Sequence, residues 1–355
     1  MKLSSKTYEI LEDLENRIDP DVEDDYKRQW EDFLYGKNTD VIFTPFRSVV
    51  KPAGVSLPKI NINDAVGDYD LMLQSELVKA SSALSSRSRV PCIRANYGTG
   101  IMTSLFGAEI FIMPYENNTL PTTRPLDDND KIEAVIEKGI PSFDSGFGNN
   151  VFEFGELVNE VFEKYPKIKK YVPMYHPDFQ GPLDSCELLW GCEMFYAMMD
   201  EPELVHGLLD LITNTYTAFM KKWEKMYPFD PVMNTHWNNL CYRGNILLRS
   251  DSAMNISPDA YREFSLPYDK RLLDTFGGGV VHFCGRGDHY IADICSLPNV
   301  YGINMSQPEY NDMEKIYSNT LDKGIKLLGF SPEVALRDQG RANGYNGSMH
   351  SEIKK

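Results

Sequence analysis

The segment His282-Phe283-Cys284 carries the strongest chemical signal in the chain. Side chains two apart on a β-strand share a face. An imidazole and a thiol would therefore project together from the run GVVHFCG at 279–285. A thiolate and an imidazole that converge suit zinc. Val280 and Val281 bury such a strand, and Gly285 and Gly287 let backbone approach closely. The plain alternative is a core strand that holds one His and one Cys by chance.

Other polar side chains recur at the C-terminal ends of apparent strands: Arg94 and Asn96, Asp178 and Gln180, His236 and Trp237, Asn304 and Gln307, and Ser331. In α/β folds, sites are built where strands end and loops begin. Asp178 and Gln180 stand in DFQGP, where Gly181-Pro182 make a tight turn. They read as a substrate-positioning acid and amide, or as an Asp that caps the next helix. His236 reads as a polar group on the aromatic wall of Trp237, or as a hydrogen-bonded core histidine. Asp251 in RSDSAMNISP would hold a substrate hydroxyl, orient His282 or cap a turn. An imidazole that binds metal needs a partner to fix its tautomer, and both Asp251 and Asn304 are candidates. Arg94 and Asn96 precede NYGTG, whose backbone N–H groups could hold an anion. The Lys-Ser/Thr ending of a phosphate loop is absent.

The elements that must position these residues alternate. Residues 1–35 read as helix, with Ile10, Leu11, Leu14 and Ile18 at helical spacing and a break at Asp19-Pro20. Pro45, Pro52 and Pro58 interrupt 36–90, the least readable stretch. VPCIRAN (90–96) and AEIFIMP (108–114) are strand-like, as are 170–182, PVMNTHW (231–237), VYGINMS (300–306) and IKLLGFS (325–331). Helical patterns lie at 130–139, 154–165, 184–198, 202–225, 257–279, 288–297 and 309–322. Met198, Met199 and Met220 fall on helix faces and read as core. Strand–helix units joined by short loops imply a parallel sheet, either open and doubly wound or closed into a barrel. No GxGxxG follows a first strand, which removes the main dinucleotide reading.

The chain has 355 residues and a formal net charge of −16, which opposes nucleic-acid binding and docking on anionic lipid. No apolar run of about 18 residues suggests a membrane span. The N-terminus is polar and acidic, unlike a secretion signal. Six scattered cysteines form no disulfide framework, so reduced thiols and a cytoplasmic location are expected. A homodimer is the default assembly.

The pattern GGGVVHFCGRG after SPDAYREFSLPYDKRLLD resembles the uroporphyrinogen decarboxylase superfamily. NYGTGIMTSLFGAE (96–109), DFQGPLDSCELLWG (178–191) and LLGFSPEVAL (327–336) match in the same order, and together they cover most of 90–340. The nearest branch is the cobalamin-dependent, corrinoid-linked methyltransferases. The resemblance implies an α/β fold, a (β/α)8 TIM-like barrel over 90–355, with residues 1–89 as a helical and irregular extension packed on it. It implies a zinc-dependent methyltransferase that moves a methyl group between a corrinoid (cobalamin) and a thiol or a methylated small molecule. The partner would be a corrinoid protein or methylcobalamin. His282 and Cys284 match the branch's His-x-Cys ligands. A third ligand, often Cys, usually lies near the C-terminus of that branch. No Cys follows Cys295 here, so His350, where an eighth strand would end, takes that place, with Glu309 a weaker candidate. Asp178, Gln180, His236 and Asp251 would be catalytic, and Arg94, Asn96, Trp237, Asn304 and Gln307 would contact substrate. The alternative is a metal-free decarboxylase of a polycarboxylate, which would need Arg94, Arg243 and Arg286 in one basic pocket. Arg47 stands alone in the N-terminal segment, where that activity would want several arginines.

Overall fold

A computed structural model describes residues 2–353. Two helices open the chain, α1 (Ser5–Arg17) and α2 (Pro20–Leu34). Ser4 caps the first by accepting from the Thr7 N–H, and Asp19 with Pro20 starts the second. The apolar stripe of α1 buries Ile10, Leu11 and Leu14. The stretch that seemed irregular holds α3 (Ile62–Gly67) and α4 (Tyr69–Leu84). The fourth helix escaped its pattern because it is enclosed on several sides. It buries Met72, Leu73 and Leu77 together with Gln74, Glu76 and Ser81, so no polar face stands out. Arg47, in the connecting loop, is spent on a buried ion pair with Glu23 at 2.6 Å.

Among the described residues, eight strands follow. β1 (Ile110–Phe111) pairs antiparallel with β2 (Thr122–Thr123), and β3 (Asn234–His236) pairs antiparallel with β4 (Leu240–Tyr242). β5 (Ile246–Arg249), β6 (Gly279–Phe283), β7 (Val300–Met305) and β8 (Lys326–Leu327) form a parallel sheet in that order. Isolated parallel bridges join Leu327 to Met349 and Phe43 to His350, so the C-terminal segment continues the sheet past β8. A third bridge joins Ile93 to Met174. On the other edge, His176 Nε2 accepts from the Leu247 N–H at 3.0 Å, and so ties the 173–178 segment to β5.

Four expected strands behave differently: VPCIRAN and 170–182 contribute only the single bridge between Ile93 and Met174, and two others form antiparallel pairs. AEIFIMP contributes only the two residues of β1, in an antiparallel ribbon. PVMNTHW is half of a hairpin, because the chain reverses at Trp237, whose φ is +50°. Parallel strand–helix alternation is therefore regular only from β5 to β8. Met199, expected in the core, is 83% exposed.

The parallel strands are buried on both faces, which is why they read as continuous apolar runs. Ile246, Leu248, Val281 and Ile303 join the larger core with the surrounding helices. Leu247, Val280 and Leu328 face the other way, onto Leu240 and Tyr242 of the hairpin and Trp30 and Phe33 of α2. Among the described residues, no helix is long and apolar enough to cross a membrane.

His350 lies in this second core. Its ring is 4.5 Å from that of Trp30 and 5.9 Å from that of Phe43. Its Nδ1 accepts from the Gly329 N–H at 2.9 Å, so the neutral ring carries its proton on Nε2, a buried N–H with no partner among the described residues. Burial pushes its pKa down to about 3. An unfolded histidine titrates near 6.5. The folded state thus binds fewer protons between those values, and stability falls as pH falls through that window. His350→Phe removes this titration while keeping a ring in place. Denaturant unfolding measured across pH 6.5 to 3 should show a pH slope shallower by up to about 1.4 kcal/mol per pH unit than in the parent. An unchanged slope would show that His350 does not carry this penalty.

Candidate metal centre

Parallel register sets the site. Arg249 of β5, His282 of β6 and Asn304 of β7 are direct neighbours across three strands. Residues in register on adjacent strands present side chains to the same face. Asn304 Nδ2 donates to the Leu328 carbonyl at 2.7 Å. A carbonyl can only accept, so Asn304 Oδ1 must face His282, whose Nδ1–H donates to it at 2.5 Å. The imidazole is left with a bare lone pair on Nε2. That atom lies 3.4 Å from Cys284 Sγ and 3.6 Å from Asp251 Oδ1. The three ligand atoms of Asp251, His282 and Cys284 all fall within 4.8 Å of one another. Of the two partners proposed for the imidazole, Asn304 fixes its tautomer and Asp251 faces the free nitrogen.

The surroundings hold these groups in place. Cys284 N donates to Asp251 Oδ1 at 2.6 Å. Asp184, on the helix Pro182–Trp190, accepts from the backbone N–H of Asp251 at 3.0 Å and of Ser252 at 2.7 Å. Burial, with the Asp251 charge adding to it, pushes the Asp184 carboxyl up to about 7. Gly181, which starts that helix, lies so close to β5 that a Cβ would sit 2.0 Å from the Arg249 carbonyl. No larger residue fits the DFQGP turn there. Gly285, just after Cys284, has φ +73°, a left-handed value that favours glycine. Gln307 Oε1 accepts from its N–H at 2.5 Å, so this side chain braces the Cys284 loop.

The donor set fits a metal ion. Burial pushes the His282 pKa down and keeps the imidazole neutral. Burial also pushes the Cys284 thiol up, so a thiolate there needs a cation beside it. One nitrogen, one sulfur and one carboxylate oxygen match the N/S/O preference of zinc, and three protein ligands leave a fourth position open.

Beside the triad, Asp178 gathers a second network. Its Oδ2 accepts from Arg94 Nη1 and from Trp237 Nε1 at 3.2 Å. Its Oδ1 accepts from His236 Nε2 at 3.1 Å and pairs with Arg249 Nε at 3.3 Å. Burial alone would raise its pKa, but Arg249, the His236 bond and Arg94 hold the carboxyl well below the usual range. Burial pushes His236 down to about 3, so it donates to Asp178 as a neutral imidazole. Trp237 reaches Asp178 from a left-handed backbone, a costly conformation for a bulky side chain. Gln180 links the two networks, accepting from Arg249 Nη1 at 2.5 Å and donating to Asp184 at 3.0 Å.

A cleft of about 340 Å³ opens above this floor, walled by Thr99, Thr123, Gln180, Asp184, Arg249 and Asp251. Asn96 is buried nearby in sequence to Arg94, and its Oδ1 has no partner. The structure does not bring His350 into the triad: it is held between Trp30 and Phe43, with Nδ1 occupied by Gly329. Glu309 is exposed on a short 3-10 turn. Arg94, Arg243 and Arg286 do not form one pocket. Arg94 is bound to Asp178, Arg286 is paired with Asp288 at 2.7 Å, and Arg243 lies at the N-terminal ends of the strands. Arg249 and Asp184 were missed in the sequence. Arg249 could have been suspected from ILLRSD, where it ends a strand two residues before Asp251.

No family model and no curated protein sequence matches the chain. Its fold is similar to the solved structure of a methyltransferase from Methanosarcina mazei, with a TM-score of 0.60 over 92% of each chain. The two sequences are 15% identical, so the likeness is one of fold.

The Asp178 network gives a direct expectation. Asp178→Ala leaves two half-buried guanidinium groups, those of Arg94 and Arg249, without their counter-charge. It should cost about 3–5 kcal/mol of unfolding free energy in urea titrations followed by circular dichroism. A loss below about 1 kcal/mol would mean that water already carries these arginines.

Proposed function

We propose that this chain is a zinc-dependent methyltransferase that moves a methyl group between a corrinoid and a thiol or a methylated small molecule. The single observation behind this reading is the convergence of Asp251 Oδ1, His282 Nε2 and Cys284 Sγ on one point, with His282 locked by Asn304. The fold likeness to a methyltransferase and the ordered motifs support it. In this reading the extended segments around Ile93 and Met174 are further staves of a (β/α)8 barrel that closes around β5–β8. The protein acts in the cytoplasm with a corrinoid protein or methylcobalamin.

Asp251, His282 and Cys284 would hold the zinc, with Asp251 in the place first expected for His350. Zinc bound there would lower the pKa of a substrate thiol or act as a Lewis acid on a methyl donor. The remaining residues position and enclose. Asn304 keeps Nε2 unprotonated and aimed at the centre. Asp184 clamps the Asp251 backbone from a helix N-terminus. Arg249 and Gln180 form the polar floor of the cleft in which the small substrate lies, with Asp251 on the shared wall. Trp237 packs its ring edge-on to His282 at 5.1 Å and keeps water from that side of the imidazole. A decarboxylase reading is disfavoured because the arginines it needs are dispersed.

Metal analysis of untagged protein should find about one zinc per chain, as three protein ligands would hold. Cys284→Ser and Asp251→Ala should each abolish retention through dialysis. Asn304→Leu should keep all three ligands but weaken zinc affinity by about 10–100-fold. Thiol-dependent loss of methylcobalamin absorbance should follow zinc content across the series. Zinc-free wild-type protein with full methyl transfer, or zinc retained by Cys284→Ser, would refute the reading.

A further inference from the structure

The opposite ends of the strands carry a different kind of pocket. A cavity of about 440 Å³ lies where β7 and β8 begin, lined by Leu34, Arg243, Val300, Tyr301, Lys323 and Lys326 among others. Among the described residues, no Asp or Glu lines it. The chain as a whole has 52 acidic residues against 36 basic ones. A cavity with three cations and no acid is therefore a local reversal of the protein's charge.

Each cation is held without a counter-charge. Arg243 stacks over the Tyr301 ring at 4.0 Å, with Tyr35 on a second side at 5.5 Å. Among the described residues it has no hydrogen-bond acceptor, so its planar fork of donors is oriented and unspent. Lys326 is 6% exposed. Its Nζ donates to the Gly347 carbonyl at 3.0 Å and lies 3.4 Å from Ser348 Oγ, with the Phe33 ring at 4.8 Å. All of these partners are neutral. Lys323 Nζ donates to Asn319 Oδ1 at 2.8 Å, again a neutral group. Among the described residues, none of the three pairs with a carboxylate. A buried ammonium without an opposite charge is expensive. Burial accordingly pushes the Lys326 pKa down, which marks the cost that a bound anion would relieve.

We propose that this cavity is a binding site for a phosphate-bearing anion, gripped by Arg243, Lys323 and Lys326. A single carboxylate would leave most of the charge of three cations uncompensated, whereas a diphosphate group matches it. Guanidinium forks also recognise phosphate oxygens bidentately. Leu34, Val300 and Ile325 offer an apolar wall for an organic substituent on the phosphate. The site lies at the N-terminal ends of β7 and β8, away from the strand ends that carry the triad. It is thus independent of the proposed methyl-transfer centre. The protein's net negative charge argues against non-specific phosphate adsorption elsewhere.

Pyrophosphate is the probe. Isothermal titration of the full chain at low salt should show saturable binding that weakens as salt rises. Arg243→Gln and Lys323→Gln, both at exposed positions, should each reduce affinity by about tenfold or more, the scale of one charged hydrogen bond. Lys221→Gln with Lys225→Gln, which change net charge on an outer helix, should leave it unaltered. Cys284→Ser should bind as the parent does. Absence of saturable binding, equal affinity in Arg243→Gln and Lys323→Gln, or loss of binding in Cys284→Ser would each overturn the proposal, the last by placing the anion on the metal centre.

Discussion

One amide governs the candidate centre. Asn304 cannot turn over, because the Leu328 carbonyl on the next strand accepts only its nitrogen. Its oxygen must therefore take the Nδ1 proton of His282. Every chemical property of the triad follows from that choice. With the proton on Nδ1, the Nε2 lone pair faces Cys284 and Asp251, and the three side chains form a donor set. With the proton on Nε2, the same three residues would be a closed hydrogen-bonded cluster with nothing to offer a metal. The constraint comes from register in a parallel sheet: Asn304 lies beside His282 because β6 and β7 align them.

Around this amide, two carboxylates of similar burial are driven in opposite directions. Asp178 faces two guanidinium groups, an indole and an imidazole, and stays ionised. Asp184 has backbone N–H groups, the Gln180 amide and a neighbouring acid around it but no cation, and its proton is held more tightly. The first acts as a fixed anion that anchors Arg249 beneath the cleft. The second fastens the loop that carries Asp251. Gln180 joins them, so the floor of the cleft and the ligand loop form one hydrogen-bonded unit. Such a connected polar layer rigidifies a site that would otherwise rest on loops.

Much of this was legible in the sequence where local periodicity decides geometry. Period-two alternation placed His282 with Cys284, and Gly181-Pro182 marked a tight turn that the Arg249 carbonyl indeed requires. The break expected at Asp19-Pro20 falls between α1 and α2. What stayed hidden depends on contacts between distant segments. The choice between Asn304 and Asp251 as partner of the imidazole is a matter of strand register. Asp184 acts through two backbone N–H groups 67 and 68 residues away in the chain. His350 sits at a plausible place by element order, but Trp30 and Phe43 from the other end of the chain enclose it. The reversal places a left-handed tryptophan at Trp237, where glycine or asparagine is usual, and the turn marker in the sequence is the Asn238-Asn239 pair that follows it.

The most direct test of the central claim is zinc-edge X-ray absorption on the metal-loaded protein. Coordination by one sulfur at about 2.3 Å and by nitrogen and oxygen neighbours at about 2.0–2.2 Å is the expected shell. The sulfur contribution should vanish in Cys284→Ser. A shell with two or more sulfurs, or with none in the wild-type protein, would contradict a centre built from Asp251, His282 and Cys284.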